Sequence, residues 1–580
     1  MNWTITNHKI LNQSELFTGN NFSVFSTNHN IELGSLNYKM HTFSFFMLGF
    51  CIPVINCKSK KHSSELVKEL FTRYGFDFIN YIKGSFNIIL FNQDEFKIYS
   101  DHHGVVKHFI YNQDTFIISS YLESITTEIK CTIKPENVAL QALFNHYING
   151  FTFLNEVNYN LPGSILTFSD HQIKTATYYK PSELLGLKEA KINFIDFAEK
   201  FKNIIKQYDL LLDHKKVSMT LTGGKDSRTI LAALLNNRIK PFTFTYGAKE
   251  SSDVYYAEKI AQSLNLEFKN YNPKNLNSEW LSKLSEKIIE QGQSLVNIHR
   301  AHRVDSIKHL QQDESKEQLF LGGYMGGELM MGVYYDNLIV TDFIKEWIFS
   351  KESKRDLIRK HLQKRYFNLD HLNLDYIESY CKNLPFLNQS SVQENEFYLQ
   401  FHVAAYAHHI ADISIFMNYI KYPVAVFLDI DFLHLLFSSP YHFLKQNNAS
   451  KNPFKRLKMF ELNMNMQHIL APELSKFHFA KKGTYNTKEF LGNNITLLMK
   501  RAFRYYFSKK EFSSNFPMDN WLIKFSEASF NDILNNNINA IYKIPEAKSD
   551  FDKNIYSSNE SSWHKYTDIF TLNKLVSKYL

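Results

Sequence analysis

The 580-residue chain is poor in cysteine, with only Cys51, Cys57, Cys131 and Cys381 and no C-x-x-C pair among them. That scatter argues against a disulfide framework or a cysteine-based zinc site. It fits a reducing compartment, so a cytoplasmic location is expected. Long apolar runs are also missing. The longest, such as Phe43 to Val54, are too short and too interrupted to span a membrane, and the polar N-terminus has no signal-peptide core. No membrane partner is expected. Charge of one sign is not in large excess: the formal net charge is +8, modest for this length. The basic stretches Lys354 to Arg365 and Lys500 to Lys510 therefore read as solvated helix faces at least as well as a surface for an anionic partner, and nucleic acid is not expected to bind. There is no internal repeat and no low-complexity linker, only an Asn-rich patch at 534–539.

What the chain does have is apolar material, 44% of its residues, with 50 Phe and 33 Tyr. Large cores are affordable, and the length favours two domains. Residues 1 to about 185 read as short strands separated by polar turns. Phe86 to Phe91, Phe96 to Tyr99 and Thr115 to Ile118 are examples, and antiparallel pairing follows. One amphipathic helix, Ser63 to Tyr74, precedes them. From about 193 the pattern alternates: a helix over Asn193 to Leu212, a strand at 217, a helix at 228, a strand over Pro241 to Tyr246, and a helix from Asp253, its expected N-cap, to Leu264. Alternation of this kind implies a parallel sheet with crossover helices, and ligands then bind at the carboxyl ends of the strands. Beyond 340 the chain reads as mostly helical.

The strand at 217 runs into Leu221-Thr222-Gly223-Gly224-Lys225-Asp226-Ser227-Arg228 and then an apolar helix. A strand that turns sharply into a helix aims backbone N–H groups and the positive end of the helix dipole at one point. Gly223 and Gly224 let phosphate approach the backbone. Thr222 and Ser227 add hydroxyls, and Asp226 can hold Mg2+ against phosphate. The spacing is not that of a Walker loop.

The order T-G-G-x-D-S resembles the S-G-G-x-D-S pyrophosphate loop of ATP pyrophosphatases. Other segments extend the likeness. Tyr74-Gly75-Phe76-Asp77-Phe78, Lys83-Gly84-Ser85-Phe86, Asp101 to Tyr111, Ser119 to Ser124 and Leu161-Pro162-Gly163 resemble, in order, the Y-G-x-x-F, L-x-G-x-F, R-D-x-x-G-x-K-P-L-Y-Y, F-A-S-E and L-P-P-G signatures of asparagine synthetase and its relatives. Phe320 to Leu329 resembles that family's L-S-G-x-G-x-D-E-L, Phe427-Leu428-Asp429 its P-F-L-D, and Ala471 to Gly483 its late P-x-x-L…R-P-K-x-G.

The resemblance implies an antiparallel sandwich of the class II glutamine amidotransferase type over 1–185. It implies a parallel-sheet ATP-pyrophosphatase domain with a helical C-terminal part over 190–580. ATP and Mg2+ are the implied cofactors, held by Leu221, Thr222, Gly223, Gly224, Asp226, Ser227, Gly322 and Gly323, with Asp226 on the metal. Tyr324 stands where the β-lactam synthetase branch has a general base. Lys481, rather than Lys482, stands where the family's lysine stabilises the acyl-adenylate transition state.

Two departures matter. Asn2 stands where the amidotransferase fold uses a cysteine nucleophile, so glutamine hydrolysis is not expected. Gly327 stands where an aspartate often helps bind metal. The adjacent His408 and His409 are expected to be structural, because neighbouring helical side chains diverge.

The expected activity is ATP-dependent, AMP-forming amide ligation of a small-molecule or peptide carboxylate with ammonia or an amine. A homodimer is compatible with the resemblance. The rival readings are a tRNA-modifying ATP pyrophosphatase and a non-catalytic homologue.

Overall fold

Strands come first and helices later, as the hydrophobic periods require. The computed structural model describes residues 3–7, 14–27, 33–38, 41–212, 216–271, 278–314, 318–332, 339–387, 397–398, 401, 405–406, 409–445, 457–480, 484–507, 512, 519–533, 537–554 and 560–580. The first strands are β1 (Trp3–Thr6), β2 (Ser14–Thr18), β3 (Ser23–Ser26), β4 (Gly34–Tyr38), β5 (His41–Pro53) and β6 (Ile82–Phe91). They are followed by β7 (Phe96–Ser100), β8 (Phe109–Asn112), β9 (Phe116–Ser119), β10 (Val157–Tyr159), β11 (Ser164–Ser169) and β12 (Gln172–Thr177).

These strands form two six-stranded sheets, β10-β8-β9-β1-β3-β2 and β12-β11-β7-β6-β5-β4. Every pairing in both is antiparallel. Alternation along β6 shows why they stack. Ile89 and Phe91 meet Trp3, Ile5, Phe116 and Ile118 of the opposite sheet. Phe86, Ile88 and Leu90 face the other way, onto Leu66, Val67, Leu70 and Phe71 of the helix Ser63–Tyr74. A strand's period of two allows one residue run to serve both layers. The apolar run at Phe43 is thus part of β5, a strand between two partners. No described helix is long and apolar enough to cross a membrane.

The third sheet holds β13 (Val217–Thr220), β14 (Phe242–Tyr246), β15 (Phe268–Tyr271), β16 (Leu319–Gly322) and β17 (Tyr422–Ala425). All four pairings are parallel, in the order β15-β14-β13-β16-β17. Strand order therefore reverses direction at β13, between β13 and β16. In an open parallel sheet this switch point leaves a crevice at the carboxyl ends, because the crossovers on either side lead away from it. The remaining chain is mostly helical, as expected.

Two boundaries differ from the sequence reading. The helix expected to reach Leu212 ends at Gln207 and tightens into a 3-10 turn over Tyr208–Leu211. The helix expected to be capped by Asp253 is capped by Ser251, whose hydroxyl accepts the Val254 N–H. Asp253 instead accepts the Gly223 N–H.

The sandwich and the parallel-sheet part are joined by a buried charge cluster. Lys83 of β6 lies 2.7 Å from Asp429 Oδ2 and 2.7 Å from Asp431 Oδ2. Tyr208 donates to Asp429 at 2.6 Å, and Asp429 also accepts the Asp431 N–H. His103 Nε2 meets the Leu428 carbonyl at 2.7 Å. Phe427-Leu428-Asp429 thus serves as a joint between the two parts.

Candidate active site

β13 ends at Thr220, and the helix Asp226–Asn236 begins six residues later. That helix is apolar on nearly every side, with Ile230, Leu231, Ala232, Ala233 and Leu234 buried, so its start is fixed firmly against the sheet. Two amides of the loop between them are satisfied by its own hydroxyls. Thr222 N–H donates to Ser227 Oγ at 3.2 Å, and Gly224 N–H donates to Thr222 Oγ1 at 3.1 Å. Gly223 N–H donates to Asp253 Oδ1 at 3.0 Å. A carboxylate from the neighbouring helix therefore occupies the amide that the sequence reading offered to phosphate. Leu221 is buried and donates its N–H to Phe244 O at 2.9 Å.

Gly223 has no room for a side chain, since an added Cβ would come 2.1 Å from Ala480 Cβ. Its carbonyl accepts from Ala480 N–H at 3.0 Å and from the guanidinium of Arg228 at 3.2 Å. The same guanidinium donates to Phe477 O at 2.8 Å and His478 O at 2.6 Å. Arg228 is fully buried against the Phe479 ring, and burial lowers its pKa to about 9. It pins the 477–480 segment onto the loop. Lys481, Lys482 and Gly483 lie outside the described residues.

The second glycine-rich loop follows β16 and closes on Asp226. Gly327 N–H donates to Asp226 Oδ2 at 3.0 Å. A Cβ on Gly326 would come 2.7 Å from Asp226 Cγ, and one on Gly323 would come 3.2 Å from Ser227 N. Thus Gly323, Gly326, Gly327, Asp226 and Ser227 meet at the switch point between β13 and β16. The glycine at 327 leaves a backbone donor aimed at Asp226.

Asp226 Oδ1 is buried without a hydrogen bond, beside the Asn463 amide. Burial and the charge of Glu328 raise the Asp226 pKa to about 7, opposed by Lys225, the Gly327 N–H and Asn463. A buried carboxylate oxygen next to a second acid is a hard-oxygen environment short of positive charge, which suits Mg2+. Among the described residues no group of three or more His, Cys, Asp or Glu is arranged to hold a metal by itself. A cation here would draw its other ligands from phosphate and water.

Tyr324 folds back over Gly322, whose added Cβ would come 2.2 Å from its ring. The ring lies 5.3 Å from that of His409 and 6.3 Å from that of Phe416. Burial and Asp412 push the phenol well above its ordinary pKa, against the pull of Arg303 and Arg300. His409 Nε2 lies 3.3 Å from Glu328 Oε1; His408 is outside the described residues. Arg228 and Asn463 carry no site signal in the sequence; Asp253 reads there as a helix cap, and Glu328 as the acid next to Gly327.

Two family models match the chain. A "Glutamine amidotransferase domain" covers residues 55–179, and "Queuosine biosynthesis protein QueC" covers 216–306. An amidotransferase match followed by an ATP-pyrophosphatase-type match is consistent with an asparagine synthetase-type architecture. The second match spans the Gly-Gly loop and the three strands β13 to β15, the ATP-pyrophosphatase part of that architecture.

Two solved structures are also similar. The "structure of the allosteric regulatory enzyme of purine biosynthesis" is 9% identical with a TM-score of 0.20, and the match covers 42% of this chain and 58% of that one. The glutamine phosphoribosylpyrophosphate amidotransferase from B. subtilis, complexed with ADP and GMP, is 9% identical with a TM-score of 0.19, over 56% of this chain and 75% of that one. Overlaps this loose carry no weight for the site. The chain thus spans less than two thirds of the first of these structures. No curated protein matches it.

Proposed function

We propose that the protein is an ATP-dependent, AMP-forming amide ligase that activates a carboxylate and joins it to ammonia or an amine without hydrolysing glutamine. The observation that carries this reading is the meeting of two glycine-rich loops on Asp226 at the sheet's switch point. Leu221, Thr222, Gly223, Gly224, Ser227, Gly322 and Gly323 are assigned to the nucleotide, and Asp226 to Mg2+. Bound ATP supplies a phosphoanhydride that turns the carboxylate into a reactive acyl donor. This chain's residues bind and orient: the loop amides and hydroxyls exchange their internal partners for phosphate, and Asp253 gives up Gly223 N–H. Tyr324, held as the neutral phenol, is assigned a hydrogen-bond donor's role beside the reacting carboxylate. Lys481 is assigned to the negative charge of the transition state; its neighbour Ala480 is anchored on the Gly-Gly loop. We place the domain boundary between residues 185 and 190.

The glutamine-independent part rests on the cysteines. Cys51, the first in the chain, sits inside β5, and burial pushes its thiol far above its ordinary pKa. A buried, protonated thiol is a poor nucleophile. The "Glutamine amidotransferase domain" match over 55–179 speaks against a purely tRNA-modifying pyrophosphatase. Exchange of labelled pyrophosphate into ATP, dependent on an added carboxylic acid, tests the adenylation. ATP binding without exchange for any acid would leave the non-catalytic reading.

A further inference from the structure

A cavity of about 350 Å3 lies between the sandwich and the parallel-sheet part, apart from the nucleotide loops. Ile410, Ala411, Ser414 and Met417 line it from one face of the stretch around the helix Ala411–Phe416. The other face of that stretch carries Asp412, paired with Arg300, and Phe416, packed on Tyr324 and Phe320. One helix therefore separates the cavity from Tyr324 and the loop after β16.

On the sandwich side the cavity is lined by Lys107, with Val105, Val106 and Tyr159. Among the described residues the Lys107 ammonium has no hydrogen bond and no ion pair, only the face of Tyr159 at 5.1 Å from the ring centroid. Asp101 is the nearest source of compensating charge, but its carboxylate is already occupied. One oxygen accepts from His103 and Val105 N–H at 3.0 Å each, and the other from Val106 N–H at 3.0 Å and Phe86 N–H at 3.3 Å. Lys107 is half-buried at the wall of a cavity lined by apolar and polar side chains alike, with Lys421 as a second cation, and two cations with no carboxylate among the lining residues favour an anion there. Burial accordingly lowers the Lys107 pKa to about 8, with Asp101 opposing.

A second polar group in the cavity is also incomplete. Gln291 Nε2 meets Tyr419 Oη at 2.8 Å, while its Oε1 is buried without a partner. Turned over, the amide accepts from Tyr419 Oη and leaves its N–H as the incomplete group, the donor that a carboxylate needs. In the motif R-D-x-x-G-x-K-P-L-Y-Y the positions of K and P fall on Val106 and Lys107 here, so this cation stands one residue from the motif's lysine.

We propose that this cavity is a binding site for a small organic carboxylate with an apolar body, with Lys107 as its counter-ion and Gln291 as a second polar contact. A ligand there touches both parts of the molecule at once and stabilises their joint by mass action. The proposal does not depend on the nucleotide reading.

Calorimetric titration of the full chain tests it, with butyrate, phenylacetate and N-acetylleucine each compared with its neutral amide. At least one acid should bind about tenfold or more tightly than its amide, the worth of one charge-assisted hydrogen bond. Lys107→Met should bring acid and amide to the same affinity. Ser414→Phe, which fills the cavity from the other side and keeps Lys107, should abolish binding of both. Asp226→Asn should leave both affinities unchanged. Equal binding of acid and amide by the wild-type chain overturns the proposal. So does retention of the preference in Lys107→Met, or no acid binding below about 10 mM.

Discussion

The two halves of this molecule use their polar side chains in opposite ways. In the parallel-sheet half, Asp226, Glu328 and Asp253 gather at strand ends, against backbone N–H groups and helix starts. In the sandwich, the buried histidines and Cys51 are held uncharged. His102 and His108 are lowered to about 3 and His103 and His146 to about 4, each chiefly by burial, and the Cys51 thiol is pushed up by the same cause. The lesson is that one half keeps its architecture around neutral histidines, whereas the other gathers carboxylates where the backbone opens at the strand ends. Lys83, paired with Asp429 and Asp431 at the joint, and Lys107, facing the cavity, are sandwich cations that depart from this contrast.

The sharpest break of the contrast is Asp226→Asn. Asparagine keeps the shape and loses the charge, so acid-dependent pyrophosphate exchange should fall by about a hundredfold or more while the melting temperature holds. Undiminished exchange at limiting magnesium would remove Asp226 from the metal.

Next comes the joint between the halves. Lys83→Met leaves Asp429 and Asp431 buried without their cation and should cost about 3–5 kcal/mol, read by chemical denaturation. A change within about 0.5 kcal/mol would show that the cluster holds nothing together.

The neutral histidines predict acid lability. Their folded pKa values lie below the ordinary 6.5. The unfolded chain therefore takes up more protons between that value and about 3 to 4. Stability is complete above 6.5, falls as pH drops through that window, and levels off below it. Melting temperatures measured from about pH 7.5 to 4.5 should decline steadily; a flat profile would mean that the histidines are solvated.

The smallest expected effect is on nitrogen source. Cys51→Ala should leave amide formation from ammonium unchanged, and glutamate release from glutamine should stay at the level of the enzyme-free control in both proteins. Release well above that control, surviving purification, would assign glutaminase activity to the sandwich.

Much of this was legible before the structure. The change from a period of two to alternating strands and helices near 193 marks where antiparallel sheets give way to a parallel one. The T-G-G-K-D-S run marks a tight turn from a strand into a helix, because two glycines and a helix start are local features that need no distant partner. The Asp253 reading failed for the complementary reason. Ser251 and Asp253 both suit a cap, and only the approach of Gly223 decided which one was needed elsewhere.

What the amino-acid order determined by itself was therefore the kind of each element and the chemistry of each short motif. Both rest on spacing along the chain, which folding does not alter. Tertiary structure alone decided the register that brings Gly327 to Asp226, the grip of Arg228 on the 477–480 segment, and the use of Asp429 as a joint to Lys83. Those contacts link residues 101, 249 and 346 positions apart. Their geometry is set by how helices and sheets pack, and no local period carries that information.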